Sequence, residues 1–317
     1  MSISISQPLV FEPLFMERVW GGRSLETVYG KELPAGIRIG ESWEIVDREE
    51  AQSVVHLGPL RGHTFHELWR DHRTEIFGTR VPDSERFPLL FKLLDAQERL
   101  SVQVHPPAAI APSLKGEPKT EMWYFLATEE NARVYAGLEQ GVTRATFEKA
   151  LAEGQVADCV HQIPVAPGEA LFIPSGRVHA IGSGNLICEV QQNSDTTYRV
   201  FDWNRPGTDG KPRALHIEES LASIDFTDVE PKLESHPGEL VTACEYFRIE
   251  KWDLTEPRAA VQSDEFAIFT CLSGLVACNG LTFKPGDFFL VPAVLAGSTL
   301  DPEEPGTTVL RTTIPAA

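Results

Sequence analysis

Short runs of alternating apolar and polar residues, punctuated by Gly and Pro, dominate the chain and predict strands more often than helices. In Gly40–Val46 (GESWEIV), Trp43 and Ile45 fall on one face and Glu44 and Val46 on the other; Val54–Leu57 is a second short run. Phe87–Leu94 (FPLLFKLL) is continuously apolar apart from one lysine, which predicts a buried strand leading into another at Leu100. Trp20-Gly21-Gly22 predicts a turn. Further strands are expected in MWYFLA after Glu121, in Arg133–Leu138, from Val165 onward, and almost without interruption from Val241 to Thr313. Helical periodicity is confined to a few segments. HTFHELWRDHRTEIFG has Thr64 as N-cap, Leu68 and Trp69 on its apolar side and Gly78 as stop. Thr143–Gly154 sets Phe147, Ala150 and Leu151 at helical spacing, and Ile217–Ile224 is a shorter candidate.

The chain contains an internal echo. PGEALFIPSGRVHAI (Pro167–Ile181) and PGDFFLVPAVLAG (Pro285–Gly297) share a Pro-Gly-acid turn, an apolar run and a closing Pro. Each reads as one strand pair of a small antiparallel β-barrel or double-sheet jelly roll. Only the first copy carries a histidine; the second has Ala293, Val294 and Leu295 there, so its barrel is expected to keep the fold without a metal. The predicted class is mainly β: two related double-stranded barrels, with a few helices added to the first. The Pro- and Glu-rich link KLESHPGEL sets the expected domains at 1–237 and 238–317.

Composition narrows the function. With 317 residues, 42% of them hydrophobic, the chain can bury a sizeable core. Its 28 Lys+Arg against 46 Asp+Glu give a net charge of −18, which argues against nucleic-acid or anionic-membrane partners. An anionic substrate must therefore meet a local basic pocket. Five cysteines without CxxC spacing, no apolar span near membrane length and no apolar leader at the N-terminus predict a cytoplasmic protein.

The chemistry gathers in two blocks. Leu100–Glu121 (LSVQVHPPAAIAPSLKGEPKTE) reads as a hairpin-like segment carrying Gln103, His105 and Glu121; Gln103 and His105 share one strand face, about 7 Å apart. Pro167–Arg205 adds His179 where a turn enters a strand. Two imidazoles, a carboxylate and an amide oxygen suit zinc with an open coordination position. The same residues also suit hydrogen-bonded core histidines and an exposed strand amide, so spacing alone leaves both readings open. Lys119 shares the orientation of Glu121, and Arg199 and Arg205 follow His179. Lysine and arginine at these positions suit a phosphate or a developing oxyanion, the alternative being surface salt bridges. His63 and His66, without further ligands nearby, read as surface histidines.

LSVQVHP, KTE, IPSGRVHAIG and EVQQNSDTTYRV, with RVWGG near the start, resemble the type I mannose-6-phosphate isomerases, in particular their short bacterial form. The resemblance covers most of the first 205 residues and continues more loosely beyond. It implies a cupin-like fold, one zinc ion per chain, and interconversion of mannose 6-phosphate and fructose 6-phosphate through an enediol. It also implies zinc ligation by Gln103, His105, Glu121 and His179, a catalytic role for Arg199, and active-site positions for Ser101, Lys119, Glu189 and Asp195. Glu189 is the first candidate for proton transfer, with Lys119 assisting or binding substrate. Where longer members of the family carry lysine six residues after the catalytic arginine, this chain has Arg205, which keeps the charge for phosphate binding. Two rivals share the ligand set. One is a cupin-type non-haem iron dioxygenase, against which the cations argue; the other is a non-enzymatic sugar-phosphate sensor.

Overall fold

The unbroken apolar run before Leu100 becomes the strand Leu89–Ala96, in which every residue, Lys92 and Asp95 included, is buried. Such a strand needs cover on both faces and stands in the middle of a sheet. In the computed structural model, which describes residues 5–207 and 209–315, it is the third of six strands. Their order is Leu14–Gly22, Ile39–Ile45, Leu89–Ala96, Asn185–Gln192, Glu121–Thr128 and Ala170–Ile173. The first four residues of the N-terminal stretch and the last two of the 238–317 segment lie outside the described residues.

A second sheet runs Tyr198–Phe201, Val102–Val104, His179–Ile181, Arg133–Leu138 and Val160–Pro164. The two sheets share a core, with Trp20, Leu94, Trp123 and Phe125 from the first meeting Val134, Ala136, Ile163 and Ile181 from the second. On its other side the five-stranded sheet presents Val102, Val104, Ala180 and Val200 to a cluster that includes Phe147 of the helix Arg144–Ala152. Thr143 caps that helix through a reciprocal bond with Thr146, as the sequence predicts for its N-terminus.

Contacts divide the chain into two units, Phe15–Ser42 with Lys92–Glu234, and Met1–Leu14 with Trp43–Phe91 and Ser235–Ala317. The break at 234/235 falls inside the predicted link, but the second unit also takes in two N-terminal segments that the contiguous division at 237 assigned to the first. In this second unit a five-stranded and a four-stranded sheet enclose Trp252, Phe269, Phe283 and Phe289. The Phe283 and Phe289 rings stack at 3.7 Å between centroids, so aromatic packing fills the interior. The echo holds structurally: Ala170–Ile173 pairs antiparallel with Glu121–Thr128 and Phe288–Val291 with Ala267–Ser273, in each case passing over two intervening strands. After the closing Pro the copies part, into the strand His179–Ile181 in one and a 3-10 turn Ala293–Leu295 in the other.

The class is mainly β and cupin-like, built from facing open sheets rather than closed barrels. Three local expectations are corrected. Leu100–Glu121 is not a hairpin: Val102–Val104 and Glu121–Thr128 belong to different sheets, and the chain between them crosses from one layer to the other. Trp20-Gly21-Gly22 is not a turn but the end of the strand Leu14–Gly22. There Gly21 allows close approach, since a Cβ would sit 2.4 Å from the Gly40 nitrogen. The predicted helix after His63 breaks at His72 into Phe65–Asp71 and Arg73–Phe77, with Thr64 and Glu67 forming the capping box of the first.

Candidate metal centre and its cavity

Strand register assembles the site. Gln103 lies opposite His179 on one neighbouring strand and opposite Arg199 on the other, so the three share one row. Because Val102 and Val104 point to the outer cluster, Gln103 points inward. On the six-stranded sheet Glu121 lies opposite Gln191 and Trp123 opposite Glu189, which places both glutamates on the face that carries Trp123 into the core. His105 and Lys119 lie just beyond the ends of these strands, on the segment that crosses between the sheets.

The four expected ligands come together. His105, Glu121 and His179 form one group whose ligand atoms all lie within 4.8 Å of one another. Glu121 Oε1 is 3.4 Å from His179 Nε2, and Oε2 is 3.8 Å from His105 Nε2. The Gln103 amide nitrogen lies 3.3 Å from His179 Nε2, while its oxygen accepts from Ser101 Oγ at 3.3 Å. Both imidazoles face backbone carbonyls through Nδ1, His105 to Thr196 and His179 to Arg177, each at 2.8 Å. A carbonyl only accepts, so Nδ1 carries the proton in both rings and the Nε2 lone pairs turn toward Glu121. His105 Nε2 and both Glu121 oxygens are buried without a hydrogen bond of good geometry, although Oε2 has the Lys119 ammonium at 2.8 Å as a charge partner. Burial lowers both imidazole pKa values, that of His179 to about 3, and holds the rings neutral. Two neutral nitrogens and a carboxylate gathered in a buried site, with His105 Nε2 and the Glu121 oxygens lacking hydrogen bonds, fit a divalent cation of the zinc type.

Glu121 and Gln103 form part of the wall of a cavity of about 430 Å³. Ser101, Lys119, Glu189, Asp195 and Arg199, all expected at the site from sequence, line it too. Burial raises the Glu189 pKa to about 7, with Lys119 opposing and Glu121 reinforcing the shift. Burial alone would depress Lys119, but Glu121 and Glu189 outweigh it and hold this ammonium above the ordinary lysine range. Arg205 is not among the lining residues; its guanidinium is bonded to Asp202 at 3.0 and 3.1 Å. His63 and His66 are half-buried rather than on the surface and bond to Leu60 O and Asp47.

The cavity also draws in residues the sequence did not single out: Arg18, Glu41, Lys92, Arg213 and His216. Lys92 left a visible signal, a charge inside the apolar run FPLLFKLL. Arg213 and His216 left none, because they follow an irregular polar segment whose path the local pattern does not encode.

Among known proteins, a sequence-family model described as phosphomannose isomerase type I, catalytic domain, matches residues 9–125, and one described as mannose-6-phosphate isomerase, cupin domain, matches residues 237–302. The chain is 36% identical over 300 residues to mannose-6-phosphate isomerase ManA of Bacillus subtilis (strain 168), covering 90% of this chain and 93% of that one. It is 33% identical over 308 residues to the mannose-6-phosphate isomerase of Streptococcus mutans, covering 94% and 96%. The crystal structure of the Bacillus subtilis mannose 6-phosphate isomerase matches with a TM-score of 0.86 at 32% identity, over 97% of this chain and 100% of that one. Identity of this order along nearly the whole length, on the same fold, means that this chain belongs to the type I phosphomannose isomerase family.

Proposed function

We propose that this chain, an isomerase of that family, interconverts mannose 6-phosphate and fructose 6-phosphate through an enediol, with one zinc ion per chain. The observation that carries the reading is the buried His105–Glu121–His179 group, in which His105 Nε2 and both Glu121 oxygens lack a hydrogen bond, at the edge of a cavity lined by Lys and Arg as well as by carboxylates. Gln103, His105, Glu121 and His179 would hold the ion, with the Gln103 amide turned so that its oxygen faces inward. A bound zinc ion supplies a Lewis acid beside the sugar oxygens.

The remaining steps belong to the chain. Aldose and ketose differ by a proton moved between C2 and C1, so a group must take it from one carbon and return it to the other. Glu189, on the face that carries Glu121, holds that proton, and Lys119 between the two carboxylates binds the adjacent hydroxyl and keeps both in place. Arg199, in the row with Gln103, sets a positive charge where the enediolate becomes negative, which stabilises the transition state more than the ground state. Asp195 and Ser101 line the same space and orient hydroxyl groups by hydrogen bonding. Trp20, Leu94, Leu100, Trp123 and Ile181 give the wall its apolar part and limit water around the intermediate. Five free cysteines suit a reducing cytoplasm, where sugar phosphates are retained.

The test is a coupled assay of mannose 6-phosphate conversion before chelation, after it and after zinc return. Turnover should vanish and recover; turnover indifferent to the chelator removes the metal, and none in the zinc-loaded protein removes the isomerase. An oxygenase sharing the two histidines and the carboxylate would stop under anaerobic conditions, whereas this reaction should not.

A further inference from the structure

The cations of the cavity fall into two groups that differ in how their charge is met. At the metal end every one has carboxylates at hand. Lys119 lies between Glu121 and Glu189, Lys92 is 3.8 Å from Glu189 and 3.9 Å from Glu41, and Arg18 is bonded through two nitrogens to Glu41. The field of Asp195 falls on Lys119 and Arg18. Toward the other end, Arg205 and Arg213 bond to one buried carboxylate, Asp202, whose field also reaches Arg199 in the row of Gln103. Asp209 lines this end as well, and one of its oxygens caps the Lys211 amide. Asp202 thus serves two bonded guanidinium groups and acts on a third, with Glu98 acting on Arg205 as well.

Geometry distinguishes the three. Asp202 takes Arg213 side-on, Nε to Oδ2 and Nη2 to Oδ1, both at 2.6 Å, and takes Arg205 on Oδ1 alone. The bonds described for Arg213 leave Nη1 uncommitted, and Arg213 lines the cavity whereas Arg205 does not. The backbone that carries Arg213 is pinned at both ends. Gly207 N donates to Lys211 O, Pro206 bridges to Pro212, and Arg199 and His216 exchange two hydrogen bonds through Arg199 N to His216 Nδ1 and His216 N to Arg199 O. A guanidinium oriented by a carboxylate, on a held backbone, in the wall of a cavity and with one nitrogen uncommitted is arranged for a phosphate oxygen.

Resting on the isomerase reading, we propose that Arg213, oriented by Asp202, is the specificity-determining residue that takes the phosphate group of the substrate, and that Arg205 is a positioning residue holding Asp202 from behind. The phosphate role expected of Arg205 from sequence thereby passes to a residue eight positions later. This assignment also divides the cavity, with the reacting carbons at the metal end and the anion at the arginine end.

Calorimetric titration of the metal-loaded protein with inorganic phosphate, beside steady-state kinetics on mannose 6-phosphate, tests it in wild type and in Arg213→Met, Arg213→Lys and Arg205→Met. Arg213→Met should weaken phosphate binding about 10- to 100-fold and raise KM in step, with a smaller fall in kcat. Arg213→Lys should fall between, and Arg205→Met should cost less than about 5-fold because the Arg213–Asp202 fork survives. Phosphate affinity unchanged in both Arg213 variants, or a larger loss in Arg205→Met, overturns the proposal. Thermal midpoints report folding, and if Arg213→Met does not fold, Arg213→Lys decides. Wild type that binds phosphate through Arg213 without converting mannose 6-phosphate would sink the isomerase reading and leave the anion site; turnover with phosphate affinity indifferent to Arg213 sinks this proposal alone.

Discussion

Gln103 stands directly opposite Arg199 on the paired strand Tyr198–Phe201, and on its other side opposite His179. One strand position thus ties a proposed metal ligand to the cation that would stabilise the enediolate. The strand has little freedom to slide, because a shift of Val102–Val104 by one residue would turn Gln103 to the outer cluster and a valine inward.

The ligand set gives the most direct prediction. Replacing His105 or His179 by Asn, or Glu121 by Gln, should abolish stoichiometric zinc, measured by elemental analysis after dialysis, because each removes one of the atoms gathered within 4.8 Å. Variants that keep a full equivalent of tightly bound zinc would contradict the assignment.

Glu189→Gln keeps the size of the side chain and its place beside Lys119 but cannot carry the transferred proton. We expect kcat to fall about 10²- to 10⁴-fold with KM changed far less. Unchanged turnover would move proton transfer to another group.

Arg177 holds the turn before His179. Its guanidinium forms two bonds to Asp228 at 2.7 and 2.8 Å and a third to Phe172 O at 2.6 Å, while its carbonyl orients the His179 ring. Arg177→Ala should cost about 2–3 kcal/mol of stability and loosen zinc binding about 10-fold, read by thermal unfolding and chelator competition. Loss of stability with metal affinity intact would separate the two roles.

Gly21→Ala should destabilise by roughly 1–3 kcal/mol, since its Cβ would lie 2.4–2.5 Å from the backbone of Ile39 and Gly40 and force two strands apart. A thermal midpoint equal to wild type would show that the strands can part at no cost.

The cysteines offer a pH-dependent check. Burial, followed by Asp287 for Cys271 and Asp301 for Cys278, pushes these thiols up to about 12. Reactivity follows the thiolate, so at pH 8 these two should react with a disulfide reagent about 10³-fold more slowly than a free thiol and speed up only as pH rises. Half-buried Cys244 should react first, and all five in denaturant. Rapid labelling of Cys271 in the native protein would refute this.

Much of this protein was legible in its residues. Apolar segments of strand length marked Glu121–Thr128 and Arg133–Leu138, threonine caps marked two helices, and the ligand candidates Gln103, His105, Glu121 and His179 were visible as polar groups set against apolar runs. These are local properties: the period of a side-chain pattern and the hydrogen-bonding needs of a helix end are written within a few residues. Two histidines and a carboxylate could be named before it was known that they meet.

What only the tertiary structure decided is which elements are neighbours. Alternation tells which face a residue takes but not which strand lies beside it, because β pairing joins segments far apart in sequence. So Leu100–Glu121 read as a hairpin, although its two strands lie in facing sheets, and the candidate metal group forms across the gap between them. For the same reason Lys92, Arg213 and His216 could not be placed at the cavity, and Arg205 could not be seen to turn toward Asp202. The residues determined the chemistry available to this chain, and the pairing of distant strands decided which of them share a site.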